Sequence, residues 1–444
     1  MDIQLSEHFD IKKILKFSLP SIIMILFTSI YGVIDGLFVS NFAGEEALAA
    51  INIMWPAIMI LAVIGFMMGT GGSALVSKTL GEGNVKKANE YFSMIVYFTI
   101  ISALVIGALS IIFMKPIAIL LKAEGETLSN CVLYGSILGG GLICFMLQNL
   151  FQSFLVVAER PDLGMKITIA AGLSNMLLDF ILIKVIPLGV IGAAVATLMG
   201  QAIGGFGPFI YFMNPNNKSS INLVKTKFEF KPIISSAYNG MSEMLGSISM
   251  SLVNMLYNLE LMKIAGIDGV NAYGIVMYID FVFVSAYIGY SVGTAPIVGY
   301  HYGAKNEYEL KSLLKKSAKI ILTASIVLFA IGFCGANMFA KIFASYNPEL
   351  CAMTTTALRV VSFCYLLAGF NIYTSSFFTA LNNGTLSAIV SFARTVIFQV
   401  GLLYLLPIFL GINGIWLSRV IGDICSFILC ISLLIANRKR YNYM

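Results

Sequence analysis

The chain has 444 residues, 58% of them hydrophobic and 11% charged, with a formal net charge of +6. Soluble domains carry about 25% charge, so this composition excludes a disordered chain, a nucleic-acid module and a secreted disulfide scaffold, and it points to a polytopic membrane protein. Twelve spans of about 20 residues would use roughly 240 residues and leave no room for a large soluble domain.

In chain order, the opening MDIQLSEHFDIKKILKFSLP places acids before its lysines and carries no small-residue cleavage pattern. It therefore reads as a retained first helix, not a removable signal. Apolar segments bounded by charged or Gly/Asn/Pro stretches fall near 14–40, 51–76, 91–113, 131–157, 164–186, 189–212, 233–262, 271–300, 317–340, 354–380, 386–409 and 413–436. The expected fold is all-α, with twelve transmembrane helices. With the N-terminus in the cytoplasm, 20 Lys and Arg fall on the inner side and five on the outer, while Arg359, Arg394 and Arg419 lie within apolar segments. That bias places both termini in the cytoplasm.

A shift of 222 residues superposes Ala43-Gly44 on Ala265-Gly266, Gly81-x-x-Asn84 on Gly303-x-x-Asn306, Asn149 on Asn371, and Leu188-Gly189-x-x-Gly192 on Leu410-Gly411-x-x-Gly414. Gly65-x-x-x-Gly69-Thr70 matches Gly289-x-x-x-Gly293-Thr294 at 224. Six helices per repeat is an even number, so the two repeats are parallel, related by an axis along the membrane normal. The expected organisation is an N-terminal six-helix lobe (1–213), a basic cytoplasmic linker (214–232) and a C-terminal six-helix lobe (233–444), facing each other across a cleft.

A charge at mid-membrane costs about 2.5–3.5 kcal/mol on insertion scales, so each one needs a partner, water or a function. In the first segment Ser21, Thr28 and Asp35 are spaced by seven, with Tyr31 on the same face. In the fifth, Asn175 and Asp179 are one turn apart; in the seventh, Asn239 and Glu243 are too, continued by Met250 and Asn254. Asp35 and Asp179 read as a pair able to bind a proton or sodium ion. Tyr31, Asn239, Glu243, Met250, Asn254 and Asp280 are candidates for a substrate cavity. Arg419 and Asp423, also one turn apart, read as a local ion pair. The seven cysteines form no metal or disulfide pattern. Gly72-x-x-x-x-Ser77-Lys78-Thr79 lacks the glycine a P-loop needs before its lysine, so no built-in ATPase is expected. His8 and His301 form no catalytic constellation, and no enzyme motif, nucleic-acid partner, ATPase subunit or cofactor is expected.

Several stretches together resemble the multidrug and toxic compound extrusion (MATE) transporters: Tyr31-Gly-Val-Ile-Asp35-Gly-Leu-Phe-Val-Ser40 followed by Glu46-Ala-Leu-Ala-Ala50, Glu159-Arg160-Pro161, and Gly289-Tyr-Ser-Val-Gly293-x-x-Pro296 leading to Tyr302-Gly303-Ala304-Lys305-Asn306. Gly240-Met241-Ser242-Glu243 is similar to the start of the seventh helix in one bacterial subgroup. The resemblance implies export of amphipathic, often cationic compounds across a bacterial cytoplasmic (inner) membrane, driven by entry of protons or sodium. It also implies a cation site at Asp35, Asn175, Asp179 and Thr197, which would be metal ligands if the ion is Na+. The acidic site that some members carry on helix ten has no match, because 354–380 contains no Asp or Glu. At the 222 shift the four site positions become Tyr257, Ile397, Gly401 and Arg419, so coupling is expected in the N-terminal half alone. The rival transport reading is a flippase for lipid-linked cell-envelope precursors, in which Arg394 and Arg419 would line a basic cavity. A membrane-embedded enzyme or a non-transporting receptor fits the buried carboxylates less well.

Overall fold

A computed structural model describes residues 3–217 and 219–444, and for Leu37 and Glu45 the backbone alone. Lys218, one of the linker lysines in the charge count, lies outside the described residues, as do Met1 and Asp2. Among the described residues every regular element is helical.

The first half holds α1 (Ile11–Phe42), α2 (Glu45–Leu61 bent by 42° into Val63–Gly81), α3 (Val85–Leu120), α4 (Gly125–Gly140 bent by 55° into Leu142–Val157), α5 (Pro161–Asp179, continuing as a π turn over Phe180–Val185) and α6 (Gly189–Met213). The second half begins with a short helix, Phe230–Asn239, that leads into one unbroken 63-residue stretch, Met241–Gly303. At 1.5 Å per residue such a helix would be about 95 Å long, three times the hydrocarbon core of a bilayer. It is divided at Gly266, whose φ of 63° and ψ of −151° only glycine adopts without strain. This gives α7 (241–265) and α8 (267–303). They are followed by α9 (Glu307–Ala344), α10 (Pro348–Ser362 bent by 51° into Tyr365–Ala380), α11 (Gly384–Phe392, a π turn over Ala393–Phe398, then Gln399–Leu410) and α12 (Ile412–Tyr441). Eight helices are long and apolar enough to cross a bilayer singly and three bent pairs do so jointly; dividing the 63-residue helix makes twelve spans. Outward faces carry large apolar side chains such as Ile101, Leu104, Ile112 and Ile408, all well exposed. Such surface is a liability in water and a requirement against lipid.

The repeated Gly-x-x-Asn motif now has a physical role. Asn84 and Asn306 are helix N-caps, accepting from the backbone N–H of Lys87 and of Glu309 at 3.1 Å each. Their glycines lie on a seam between the halves. A Cβ on Gly81 would fall 1.9 Å from the Tyr300 carbonyl, and one on Gly303 would fall 2.0 Å from the Lys78 carbonyl. Shifted by 222, each contact becomes the other. Gly71 against Gly240 and Gly293 against Ser18 form a second exchanged pair. Gly299 meets Ser77, its own equivalent, so the pseudo-two-fold axis passes between them. These contacts all lie at the Lys-rich end. Toward the other end, added Cβ atoms on Gly32, Gly36, Gly246 and Gly274 would meet nothing within 4 Å. The halves are therefore closed against each other at the Lys-rich end, while these four glycines stand clear of any neighbour.

Candidate functional site

In the N-terminal half, two glycines set the spacing of the helices that carry polar groups. Gly172 of α5 takes the Phe27 and Tyr31 rings of α1 where a Cβ would stand, and Gly200 of α6 lies against Ala171 and Asn175 of α5. These approaches bring α1, α5 and α6 together around Asp35, Asn175, Asp179 and Thr197. Asn175 and Asp179 are buried, at 3% and 0% exposure, while Asp35 and Thr197 are half-buried. The π turn starts at the residue after Asp179, a deviation often found at functional sites.

The four residues share one property. Asp35 Oδ1, Asn175 Oδ1, both Asp179 carboxylate oxygens and Thr197 Oγ1 are buried with no hydrogen-bond partner. The Asp35 and Asp179 carboxyl groups are direct neighbours, yet two ionised carboxylates have only acceptors to offer each other. Buried acceptors left unmatched are costly, and a positive charge or a proton placed among these oxygens would satisfy them. Two residues that sequence reasoning missed complete the surroundings. Tyr134 of α4 is fully buried and close to both carboxylates. Gln148 of α4 is buried beside the Tyr31 hydroxyl, with its own Oε1 unpaired. Each is an uncharged polar residue in an apolar helix, without the carboxylate that drew attention to Asp35 and Asp179.

The C-terminal half handles its buried charges differently. Arg419 does not pair with Asp423 one turn away: its Nη2 donates to Asp280 Oδ2 of α8 at 2.5 Å. Asp423 instead takes Arg394 Nε of α11 at 3.0 Å, and Asn371 Nδ2 of α10 donates to its backbone carbonyl at 3.0 Å. One turn apart on α12, the two side chains reach outward to different neighbouring helices. Arg394 lies within the second π turn. Nearby, Tyr257 shares a hydrogen bond with Ser418 at 2.8 Å and stacks on Tyr273, which donates to Asn254 Oδ1 at 3.0 Å.

The remaining cavity candidates therefore separate. Asp280 is buried and held by Arg419, and Asn254 is engaged by Tyr273. Asn239 is buried in the closed seam, donating to Asn382 Oδ1 at 2.6 Å, and Asn382 in turn donates to the Ala74 carbonyl across the halves. Glu243, in contrast, is exposed, as is Met250 two turns on. A carboxylate facing lipid at this depth would be expensive. Since Gly240 is sealed against the Met67 backbone, Glu243 stands one turn above the closed floor.

Among the described residues no three His, Cys, Asp or Glu side chains converge as a metal-binding group; the N-terminal site joins two carboxylates to amide, hydroxyl and phenol groups.

Comparison with known proteins places this architecture. The MatE family model matches residues 20–181 and again 244–405, one match per half. The multidrug export protein MepA of Staphylococcus haemolyticus (strain JCSC1435) is 26% identical over 428 residues, covering 94% of this chain and 92% of that protein. MepA of Staphylococcus aureus (strain MSSA476) is 25% identical over 425 residues, covering 94% and 91%. Among solved structures, MATE in complex with MaL6 superposes with a TM-score of 0.93 at 22% identity, over 98% of both chains. An outward-facing multidrug resistance MATE transporter of the MOP superfamily gives 0.88 at 24% identity, over 97% and 98%. With both halves matched by the family model and nearly the whole length shared with these relatives and folds, the chain belongs to the MATE family of membrane transporters.

Proposed function

We propose that this protein exports amphipathic, often cationic organic compounds in exchange for a proton or a sodium ion, by alternating access between lobes of residues 1–213 and 233–444 joined by the linker 214–232. The observation that carries this reading is the set of unpartnered oxygens on Asp35, Asn175, Asp179 and Thr197. A proton shared between the carboxylates, or a sodium ion held by all four side chains, would satisfy these acceptors at once.

Geometry supports a division of labour. Asp35 lies fourteen residues beyond Ser21 of the seam, about 21 Å further toward the open end of α1. An ion would reach it from that side, while Glu243 at the cleft floor offers a cationic substrate its counter-charge. Neutralising Asp35 and Asp179 removes their repulsion and lets the N-terminal lobe repack, and the substrate leaves in the exchange. A ligand moves such an equilibrium only by its differential affinity for the two states. The ion supplies that difference in the N-terminal lobe and the substrate supplies it in the cleft. The Lys and Arg bias supports a cytoplasmic location for the closed end and both termini, in the cytoplasmic membrane of a bacterium. The two arginines on which a flippase reading would depend are each committed to a carboxylate.

Ethidium efflux from proteoliposomes under separately imposed pH and sodium gradients tests the proposal. The expected result is efflux driven by one gradient and abolished by Asp35→Asn or Asp179→Asn. Efflux insensitive to both gradients, or unchanged in both variants, overturns it.

A further inference from the structure

Before α1 begins, residues 3–9 lie across the closed end and touch both halves. The backbone N–H of Leu5 donates to Glu159 Oε1 of the α4–α5 loop at 2.7 Å, a contact to the N-terminal half. Four residues later the chain is anchored on α9 of the C-terminal half. The Phe9 N–H donates to Glu309 Oε1 at 3.0 Å, His8 Nδ1 meets Glu309 Oε2 at 2.6 Å, and Lys316 Nζ donates to the Phe9 carbonyl. Ile3, Leu5 and Phe9 are buried in a cluster that includes Val156 of one half and Ile297, Leu310 and Leu313 of the other. The Phe9 ring packs edge-on against His301, whose two ring nitrogens are buried without partners.

The internal repeat gives this segment a counterpart. The linker, which precedes the first helix of the C-terminal half, lies along the start of α3 in the N-terminal half. There Asn222 N–H donates to Asn89 Oδ1 at 2.7 Å and Val224 N–H donates to Ser93 Oγ at 2.8 Å. Each lobe is thus preceded by a non-helical stretch laid on the third helix of the other lobe. One of these two crossings is the covalent connection and cannot part from both halves. The other is the N-terminal stretch, which continues into α1 of its own lobe and is held to the C-terminal lobe by side-chain and backbone contacts alone.

We propose that residues 3–9 are a releasable strap that holds the two lobes together at the closed end, and that this end opens only when the strap gives up Glu309 and Lys316. The release point follows from chain connectivity. Peptide continuity with α1, the Leu5–Glu159 hydrogen bond and one edge of the apolar cluster keep the strap on the N-terminal lobe. Three polar contacts to α9 tie it to the C-terminal lobe, in parallel with the seam contacts of Ser18 and Ile22 on Gly293 and Gly289. As the lobes separate, the strap stays on Glu159 and leaves Glu309, and the cover over His301 loosens with it.

The inference rests on the alternating-access reading. Its test uses the full chain in membrane vesicles of both orientations, with the accessible Cys334, Cys351 and Cys425 replaced by serine. Ser77→Cys, in the seam opposite Gly299, reports the inner end, and Gly246→Cys, where the added side chain has free space, reports the outer cleft. The readout is labelling by a membrane-impermeant maleimide. Glu309→Ala is expected to raise Ser77→Cys labelling about tenfold and lower Gly246→Cys labelling, with Glu309→Gln, which keeps an acceptor, close to the parent. Labelling of Ser77→Cys at the parent rate in Glu309→Ala overturns the strap. A rise at both reporters, the mark of general loosening, also overturns it. If neither reporter in the parent responds to saturating ethidium or to an imposed gradient, alternating access itself fails; if the parent responds and Glu309→Ala matches it, only the strap fails.

Discussion

The two halves share a fold and answer the same electrostatic problem in opposite ways. The N-terminal half buries two neighbouring carboxylates and supplies no cation for them. The C-terminal half buries two carboxylates, Asp280 and Asp423, and pairs each with a guanidinium of its own, Arg419 and Arg394, leaving one oxygen of each carboxylate without a partner. On the proposed reading the first site takes its positive charge from outside, whereas the second carries its own. In a six-plus-six repeat, that contrast would set a working site apart from a structural one.

The contrast can be broken most visibly from the C-terminal side. Arg419→Ala would leave Asp280 buried and unpaired, and removing one member of a buried pair costs about 3–5 kcal/mol. The melting temperature in detergent should fall markedly. The double variant Arg419→Met with Asp280→Leu, replacing the pair by apolar volume, should recover most of the loss. In the N-terminal half the same kind of change should behave the opposite way: Asp179→Asn should move stability by no more than about 1 kcal/mol, since no protein partner is orphaned, while gradient-driven efflux is lost. A melting-temperature drop equal to that of Arg419→Ala would show the N-terminal acids to be structural after all. Glu243→Gln should weaken binding of a cationic dye about tenfold, or 1.4 kcal/mol, and leave a neutral analogue unaffected, as read by fluorescence titration. The smallest effect is expected for Tyr257→Phe, which removes the hydrogen bond to Ser418. Such interhelical bonds average about 0.6 kcal/mol in membrane proteins, a shift visible in thermal melts with no change in efflux.

Much of this contrast was legible in the sequence. Hydropathy located the spans, and the 222-residue shift located residues that the seam later pairs across its axis. The one-turn spacing of Asn175 and Asp179 put two of the four candidate site residues on one face. That same rule misled at Arg419 and Asp423, because spacing along one helix says nothing of a better partner on another; Asp280 lies 139 residues away from Arg419. The Asn239 and Glu243 pair shows a different limit. Both share a helical face in sequence, but the chain turns at Gly240 between its two helices, so one residue enters the seam and the other the cleft. Tyr134 and Gln148 do not stand out although Asn130 and Gln152 lie one turn from them, because neither pair carries a charge, and it is a charge within an apolar run that singles out Asp35 and Asp179.

The closed end is held where backbone meets backbone. A methyl group added at Gly71, Gly81, Gly240 or Gly303 would stand about 2 Å from a carbonyl oxygen of the opposing helix, whereas Gly32, Gly36 and Gly246 have room to spare. Mutational freedom is thus distributed unevenly: the walls above the floor can accept new side chains one at a time, and the seal beneath them cannot. A transporter partitioned in this way can drift toward new cargo under selection without first learning again how to close.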